Sequence, residues 1–363
     1  MAIFAGRKIA ARSSHTSVSK LMAQTYSLVT GANGEIGHSL LEALHAEGKS
    51  IIAVDLQPLS DHASGLCSHV LSGEMGNITN PNLYAELLKY DVTEVFHLAA
   101  LLSTSAEKNP SLAQTVNVGG TLQLLEFSRT TGKRLGAPVV FVFPSTIAVY
   151  GFATLAAKTS AGRIDETQGL EPRTMYGINK LYCESLGSYF DELYMQLSPT
   201  KESGWVDFRG VRFPGLISAF TVPTGGTSDY APEMVHAAAQ GKAYECFVRP
   251  DARIPFMAMP DGVRALLELR SAPKSQLTRH VYNIGAFAPS ADEIRQKVQS
   301  IFPSAEVTFS PHLQRQAIID SWCMDVNDDA ARRDWGWNAE YDFARTFTEY
   351  LAPHIMKRYA SGH

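Results

Sequence analysis

"VTGANGEIG", residues 29–37, is the stretch that indicates the fold of the chain. It follows a short β-rich run and precedes an amphipathic segment, so it predicts a strand, a glycine-rich turn and the start of a helix. Gly31, Gly34 and Gly37 suit a dinucleotide site, which needs a tight turn, a close approach of backbone to pyrophosphate, and close packing of helix on strand. The helix N-terminus would then face the phosphates. Other residues of this stretch predicted to contact the cofactor are Asn33, Glu35 and Ile36.

An acidic residue in the next predicted strand supports this interpretation. The strand "SIIAVD" (residues 50–55) ends at Asp55, 18 residues after Gly37. A carboxylate in this place can accept hydrogen bonds from the adenosine ribose diol. It would also repel a 2'-phosphate, and the following "LQP" supplies no arginine to hold one. The sequence therefore predicts NAD rather than NADP, with Leu56 as a further contact.

The rest of the chain alternates β-rich and helical segments, the pattern of a parallel sheet covered by helices. We predict a doubly wound parallel (Rossmann) α/β sheet that binds NAD over residues 26–213. A smaller C-terminal substrate-binding lobe, interleaved with the sheet, is predicted over residues 214–363. The predicted strands are residues 25–30, 50–55, 67–71, 94–99, 138–144 and 206–213. The predicted helices are about 35–47, 81–89, 110–131, 173–197, 232–240, 290–302 and 342–355.

The composition argues against several classes of function. The 363 residues are 45% hydrophobic and 19% charged, which suits a large core, and the formal net charge is -4. This charge provides no basic field for nucleic acid. The longest apolar runs, such as residues 137–143, are far shorter than the ~20 residues of a membrane span. The chain has four cysteines, Cys67, Cys183, Cys246 and Cys323. No two of them have the spacing of metal ligands, and the set does not resemble a disulfide framework, so we expect them to be reduced.

The N-terminus differs from the rest of the chain. Residues 1–33 contain no Asp or Glu, while Arg7, Lys8, Arg12 and Lys20 are spread among serines. This is the composition of an organelle transit peptide. We therefore predict that residues 1–25 are a leader that directs the enzyme to mitochondria. Two alternatives are a leader of no consequence and a start codon placed too early, with Met22 as the true start. In either case the protein would be cytoplasmic.

Two further motifs carry side chains that could perform chemistry on an alcohol. "FPSTIAVYG" (residues 143–151) places Ser145 and Thr146 at the end of the fifth predicted strand, and "TMYGINK" (residues 174–180) places Tyr176 and Lys180 four apart on one helix face. Oxidation of a secondary alcohol needs a base for the hydroxyl proton, and a phenol with its usual pKa of about 10 is a poor base. Lys180 would lower the pKa of Tyr176, helped by a positive nicotinamide. By itself, each motif is also compatible with a turn hydrogen bond or a solvated helix face.

The chain resembles the extended short-chain dehydrogenase/reductase family in its glycine spacing and in three further motifs: "NIT" (residues 77–79), "FHLAALLS" (96–103) and "VNVGGT" (116–121). The resemblance implies that Asn77 and Ile78 touch the adenine and that Asn117 is the helix asparagine of the family. Counted back from Gly151, the catalytic hydroxyl of the family falls on Thr146, with Ser145 as the alternative. Further cofactor contacts that it implies are Leu98, Ala99, Ala100, Tyr176, Lys180, Pro214 and Leu216. For His97 we predict a core histidine satisfied by backbone.

Longer stretches resemble, within this family, the short-chain type of L-threonine 3-dehydrogenases. They include "TMYGINK", "RFPGLIS", "GGTSDYA", "IPFMAMPD" and "RQAIIDSW". The resemblance implies oxidation of the small molecule L-threonine to 2-amino-3-oxobutyrate, which a partner ligase would convert to glycine and acetyl-CoA. It also implies substrate contacts by Ser103, Thr146, Tyr176 and Thr227, and a homodimer or higher homo-oligomer.

The chain departs from the pattern of these dehydrogenases at two places. Cys323 stands where they tend to have proline, and the segment 151–173 is longer than usual. We expect this insertion to be a surface loop that adds a new rim to the pocket. Asp229 is expected to be a solvated loop acid, with contact to the substrate ammonium as the alternative.

Three other functions are found on nucleotide-binding sheets of this kind. A nucleotide-sugar epimerase of the same family stays open as the alternative. A dehydratase is disfavoured because Ile147 and Ala148, rather than an acid pair, follow Thr146. A non-enzymatic NAD sensor would have no need for Tyr176 and Lys180 at their spacing.

Overall fold

The computed structural model describes residues 24–223 and 226–360. The leader predicted at residues 1–25 therefore lies outside the described residues except for its last two. The strands of the described ranges are β1 (Thr25–Thr30), β2 (Ser50–Asp55), β3 (His69–Ser72), β4 (Asp91–His97), β5 (Val139–Thr146), β6 (Arg163–Ile164), β7 (Val206–Phe213), β8 (Gly215–Ile217), β9 (Tyr244–Cys246), β10 (Phe256–Ala258), β11 (Val281–Asn283), β12 (Val307–Phe309) and β13 (Asp325–Val326).

The α-helices alternate with the strands along most of the chain. Those of the described ranges are α1 (Glu35–Ala46), α2 (Asp61–Gly65), α3 (Pro81–Leu87), α4 (Ser103–Lys108), α5 (Pro110–Ala113), α6 (Thr121–Leu135), α7 (Leu155–Ala161), α8 (Met175–Ser188), α9 (Tyr230–Ala239), α10 (Met259–Ser271), α11 (Ala291–Ile301), α12 (Leu313–Ser321), α13 (Asp329–Trp335), α14 (Phe343–Arg345) and α15 (Ala352–Ala360). No helix in this part of the chain combines the length and the apolar character that a bilayer span needs.

A seven-stranded sheet forms the centre of the fold, in the order β11-β7-β5-β4-β1-β2-β3. All its neighbouring strands run parallel. The order reverses between β1 and β4, so the helices cover both faces and a crevice opens at the carboxyl ends of these two strands, where doubly wound sheets bind ligands. The predicted fold class is confirmed.

Apolar side chains hold helices on both faces of this sheet. Leu40 of α1 and Leu266 of α10 belong to the buried cluster on one face. Leu124 of α6 and Cys183 of α8 belong to the cluster on the other face. A third cluster joins α9, α11, α12 and α15 through Met234, Ile294, Ile319 and Ile355, and forms the core of the C-terminal part of the chain.

The predicted strands at 25–30, 50–55 and 206–213 match β1, β2 and β7 residue for residue, while β3, β4 and β5 differ at their ends. The predicted helix at 110–131 is interrupted by a wider π-helical turn at Gln114–Gly120 before α6. The sequence analysis did not predict helices α2, α4, α7, α10, α12 and α13, nor strands β6, β8, β9, β10, β11, β12 and β13. At three residues, β11 is too short for its sequence pattern to reveal it. It lies in the range predicted for the C-terminal lobe, and the domain boundary stays a prediction.

The insertion at residues 151–173 is not the surface loop that was predicted. It contains α7 and β6, and β6 pairs with β13. Lys158 of α7 is buried, and its ammonium donates a hydrogen bond of 2.8 Å to the Ile319 carbonyl at the end of α12. Arg163 adds an ion pair of 2.8 Å with Asp328. These contacts, all distant in sequence, make the insertion a packed element.

Candidate active site

The glycine turn lies between β1 and α1, directly against the end of β4. Gly31 has φ +71°, and a Cβ added to it would lie 2.6 Å from the Ala99 amide nitrogen. A Cβ on Gly37 would lie 2.4 Å from the Ala32 carbonyl oxygen. Gly34 is the N-cap of α1 and supplies no side-chain cap to its first turn. The turn therefore fits a pyrophosphate, which can approach bare backbone and accept the first helical N–H groups.

Asp55 lies beside this turn at the carboxyl end of β2. Its carboxylate accepts a hydrogen bond of 2.9 Å from the Asn33 amide and another of 2.9 Å from the Gln57 amide. Leu56 follows it and is largely exposed. The carboxylate thus has a structural role in holding the turn, and it lies at the edge of the sheet where the adenosine ribose of a dinucleotide would lie.

The other predicted cofactor residues occupy the same edge of the sheet. Asn77 follows β3, and its side-chain oxygen accepts a hydrogen bond of 3.0 Å from the Thr79 amide. Ile78 is buried against Gly120, where an added Cβ would lie 2.4 Å from the Ile78 Cδ1. Pro214 and Leu216 follow β7, whose last residue, Phe213, is in register with Thr146 of β5.

Asn117 links the loop after β4 to the helix that carries Tyr176. Its side-chain oxygen accepts a hydrogen bond of 2.8 Å from the Leu101 amide. Its side-chain nitrogen donates hydrogen bonds of 3.0 Å to the Leu101 carbonyl and 3.3 Å to the side-chain oxygen of Asn179. The predicted contacts Leu98, Ala99 and Ala100 belong to the loop that it holds. Because protein groups use both ends of this amide, Asn117 acts here as a tie between β4 and α8.

His97 is a buried core histidine, but its partners are not the backbone groups that were predicted. Its Nδ1 is 2.8 Å from the Thr30 hydroxyl and its Nε2 is 2.9 Å from the Thr121 hydroxyl. Burial lowers the pKa of His97 to about 3. The ring is therefore neutral at neutral pH and tied to β1 and α6.

Thr146 ends β5, and Ser145 precedes it with its side chain on the opposite face of the strand. Ser145 is buried and donates a hydrogen bond to the Glu184 carboxylate. Thr146 is partly exposed, and its hydroxyl accepts a hydrogen bond of 3.1 Å from the Ala148 amide. Since that bond uses Thr146 only as an acceptor, its hydroxyl can still donate to a substrate oxygen. Ser145 is committed to the interior, so Thr146 is the better candidate of the two.

Tyr176 and Lys180 lie near the start of α8, which two polar groups cap. The Thr174 hydroxyl accepts from the Gly177 amide at 3.1 Å, and the Glu107 carboxylate accepts from the Met175 amide at 2.7 Å. Lys180 is buried, and its ammonium donates to the Pro144 carbonyl at 2.7 Å. The ammonium therefore lies under the end of β5 that carries Thr146. Within residues 24–223 and 226–360 no hydrogen bond engages the hydroxyl of Tyr176, so this group can serve a substrate oxygen.

The electrostatics of the pair differ from the prediction. Burial lowers the pKa of Lys180 to about 8, and the nearby Cys183 and Glu184 oppose the shift. Burial raises the pKa of the Tyr176 phenol, and Lys180 does not contribute to the shift. The Lys180 ammonium is 5.8 Å from the Tyr176 ring centroid and closer, at 4.3 Å, to that of Phe143. The expectation that Lys180 lowers the pKa of Tyr176 is wrong for the protein by itself, because desolvation dominates.

Sequence reasoning missed a buried ion pair behind this site. Glu184, one helical turn after Lys180, accepts two hydrogen bonds from Arg212 of β7, at 3.0 and 2.6 Å. Arg212 also donates to the Tyr150 hydroxyl at 2.8 Å. The pair ties α8 to β7, and through Ser145 to β5. The available signal was a charged residue inside the buried strand "VDFRGVRF", since buried charges require partners.

Two of the four predicted substrate contacts, Ser103 and Thr227, belong to distant segments that meet in the structure. The hydroxyls of Ser103, at the start of α4, and Thr227, before α9, are 3.3 Å apart. Asp229 is partly buried, and its carboxylate accepts a hydrogen bond of 2.6 Å from the Gly226 amide. The interpretation of Asp229 as a solvated loop acid is therefore wrong, because it holds the backbone next to Thr227.

A Rossmann sheet with a dinucleotide turn and a nearby hydroxyl, phenol and ammonium defines a class of enzymes that act on alcohols or sugars with a nicotinamide cofactor. The chain matches the model of the "NAD dependent epimerase/dehydratase family" over residues 27–285, and it belongs to this family. The resemblance inferred from its motifs is confirmed.

Its relatives within the family narrow the class further. The mitochondrial L-threonine 3-dehydrogenase of Bos taurus is 35% identical over 339 residues, which cover 90% of this chain and 82% of the relative. The holo form of an L-threonine dehydrogenase from Cupriavidus necator superposes with a TM-score of 0.79 at 33% identity, and covers 92% of this chain and 99% of that one. A monomeric L-threonine 3-dehydrogenase from a metagenome gives a TM-score of 0.78 at 33% identity and the same coverage.

These findings support NAD-dependent dehydrogenase activity for an enzyme that acts on a small molecule. The predicted roles of the individual site residues stay predictions. The oligomeric state and the mitochondrial location also stay predictions, since one similar structure is described as monomeric and the leader lies almost wholly outside the described residues.

Proposed function

We propose that this enzyme oxidises the 3-hydroxyl of L-threonine to give 2-amino-3-oxobutyrate, with NAD as the hydride acceptor. The observation that carries the proposal is the contact between Ser103 and Thr227, which are 124 residues apart and were both predicted to bind this substrate. Two adjacent hydroxyls can donate to a carboxylate and accept from an ammonium, the two groups that distinguish an amino acid from a simple alcohol. The threonine dehydrogenases among the relatives support the same substrate.

In this proposal Tyr176 takes the hydroxyl proton while Thr146 holds the same oxygen by donating a hydrogen bond. Lys180 stays mostly protonated at pH 7, because its pKa is about 8. It holds the end of β5 through the Pro144 carbonyl and would bind the nicotinamide ribose. When bound, NAD would supply the hydride acceptor and a positive charge beside the phenol. The raised pKa of Tyr176 makes the phenol depend on such a charge to ionise, with each unit worth about 1.4 kcal/mol.

The proposal is tested by incubating the purified protein with NAD and L-threonine and following the NADH absorbance. We expect NADH from L-threonine and little from D-threonine, in which the ammonium and carboxylate cannot both meet the paired hydroxyls. NADH from another 3-hydroxy acid but not from L-threonine would reassign the substrate. Tight binding of a uridine diphosphate sugar without NADH production would favour an epimerase.

A strong preference for NAD over NADP is expected from Asp55. Its carboxylate would face the 2'-phosphate of NADP, and repulsion between two close charges should make kcat/KM about 100-fold higher with NAD. The matched variant Asp55→Asn can still accept the hydrogen bond from the Asn33 amide but carries no charge. Its NAD/NADP ratio of kcat/KM should therefore be clearly smaller. Similar kcat/KM values for both cofactors in the wild type would contradict the role of Asp55.

A further inference from the structure

Gly226, the residue that precedes Thr227, has hydrogen-bond partners for both its backbone carbonyl and its backbone amide. Arg315 of α12 donates a hydrogen bond of 2.5 Å to the Gly226 carbonyl, and the Gly226 amide donates one of 2.6 Å to the Asp229 carboxylate. We call Arg315 and Asp229 together the Gly226 clamp. Because both polar groups of one residue have fixed partners, the clamp determines the orientation of the backbone that leads into Thr227.

Thr227 in turn belongs to the substrate end of the site. It is buried, at 5% exposure, and its hydroxyl lies 3.3 Å from that of Ser103. Ser103 is the first residue of α4. The Glu107 carboxylate, on the same helix, accepts a hydrogen bond from the amide of Met175, which begins α8 and precedes Tyr176. The clamp therefore contacts the backbone next to Thr227, while α4 connects Ser103 to the start of α8.

Arg315 is 89 residues along the chain from Gly226, and other contacts hold its side chain and its helix in place. Its guanidinium lies 3.1 Å from the ring centroid of Phe247, within the range of a cation–π contact. The next residue, Gln316, is buried, and its side-chain oxygen accepts a hydrogen bond of 2.6 Å from the Arg249 amide. The start of α12 is thereby tied to the segment that follows β9, and the Arg315 side chain has a defined direction.

We propose that Arg315 is a positioning residue for substrate specificity, which places the Thr227 hydroxyl beside Ser103 so that the pair recognises the amino acid end of a 3-hydroxy amino acid. This inference rests on the proposed function. The ammonium and carboxylate of such a substrate do not change during hydride transfer, so contacts to them stabilise the ground state and the transition state equally. Loss of the clamp should therefore raise KM for the amino acid and leave kcat nearly unchanged.

The test compares four single variants and the double variant Arg315→Met/Thr227→Val with the wild type in the NAD-dependent oxidation of L-threonine. Arg315→Met keeps a long side chain over Phe247 but cannot donate to Gly226, and Arg315→Lys keeps one cationic donor. Thr227→Val removes the hydroxyl that the clamp is proposed to position. Arg295→Met is the matched control, since Arg295 is also partly buried on a C-terminal helix and pairs with Asp292 at 2.7 Å. Titration of each protein with NAD alone measures cofactor affinity.

We expect Arg315→Met to raise KM for L-threonine about tenfold, the effect of losing one hydrogen bond from a charged group. Its kcat, its affinity for NAD and its melting temperature should stay close to those of the wild type, as should all parameters of Arg295→Met. Arg315→Lys should recover part of the loss. In the double variant with Thr227→Val, Arg315→Met should add little, because the two changes would act through the same hydroxyl.

Other outcomes would overturn the inference. An unchanged KM in Arg315→Met, or full additivity with Thr227→Val, would mean that Arg315 does not act through Thr227. A parallel loss of kcat, NAD affinity and melting temperature would assign Arg315 a purely structural role. A wild-type enzyme that makes no NADH from L-threonine would overturn the proposed function together with the inference, so the two failures are distinguished by the wild-type assay.

Discussion

Replacing Tyr176 with phenylalanine should lower kcat for L-threonine about 1000-fold, within the range that a positioned general base contributes. The substitution removes the one hydroxyl proposed to take the proton and keeps the ring that packs at the edge of the C-terminal cluster. The glycine turn, Asp55 and Lys180 are untouched, so NAD affinity should change little. The measurement is the initial rate of NADH formation at saturating NAD and L-threonine, together with a titration of each protein with NAD alone.

Tyr182, on the same helix, provides the matched control. Its side chain is 54% exposed to solvent, so Tyr182→Phe should keep the wild-type kcat. If Tyr176→Phe keeps its kcat as well, the phenol is not the base. If both variants lose activity along with thermal stability, the effect belongs to the helix rather than to the hydroxyl.

Replacing Lys180 with methionine should lower kcat/KM about 100-fold or more, because the ammonium at the end of β5 and its proposed ribose contact are both lost. The same change should stabilise the fold at pH 7. Burial lowers the pKa of Lys180 from 10.5 to about 8, so the folded protein binds this proton less tightly than the unfolded chain. The charged amine therefore costs stability at every pH below about 8. The cost declines as the pH rises towards 10.5, and it disappears when the amine is neutral in both states.

The measurement is denaturant unfolding at pH 7 and at pH 10, alongside kcat/KM at pH 7. The advantage of Lys180→Met over the wild type in unfolding free energy should be large at pH 7 and small at pH 10. Lys158 provides the matched control, because burial lowers its pKa to about 8 as well and it lies in the insertion. Lys158→Met should show the same dependence of stability on pH and keep most of its activity. Full activity in Lys180→Met would refute a role in catalysis for this ammonium.

Several parts of the site could be predicted because the chemistry depends on local spacing. A glycine turn needs its three glycines within a few residues, and Tyr176 and Lys180 need only one helical turn to share a face. Strand ends that carry function, such as Thr146 after an apolar run, can likewise be recognised from the sequence next to them. The fold class followed from the same local alternation of strands and helices.

Other parts depend on contacts between distant residues and had no local signal. The insertion at 151–173 looked like a loop, because its packing partners Ile319 and Asp328 lie far along the chain. Strand β11 exists because β7 offers it a partner, since three residues do not form a strand alone. The Gly226 clamp joins a loop and a helix, and no pattern in either segment indicates the other.

By itself, the sequence determined the class of sheet, the cofactor turn and the helix face shared by Tyr176 and Lys180, because each follows from backbone periodicity over a few residues. Only the tertiary structure decided the environment of these groups. It buried Lys180 and lowered its pKa, raised the pKa of Tyr176 where a decrease was predicted, and brought Ser103 to Thr227. The physical reason is that desolvation and contact depend on which distant segments pack around a side chain, and that is a property of the folded chain as a whole.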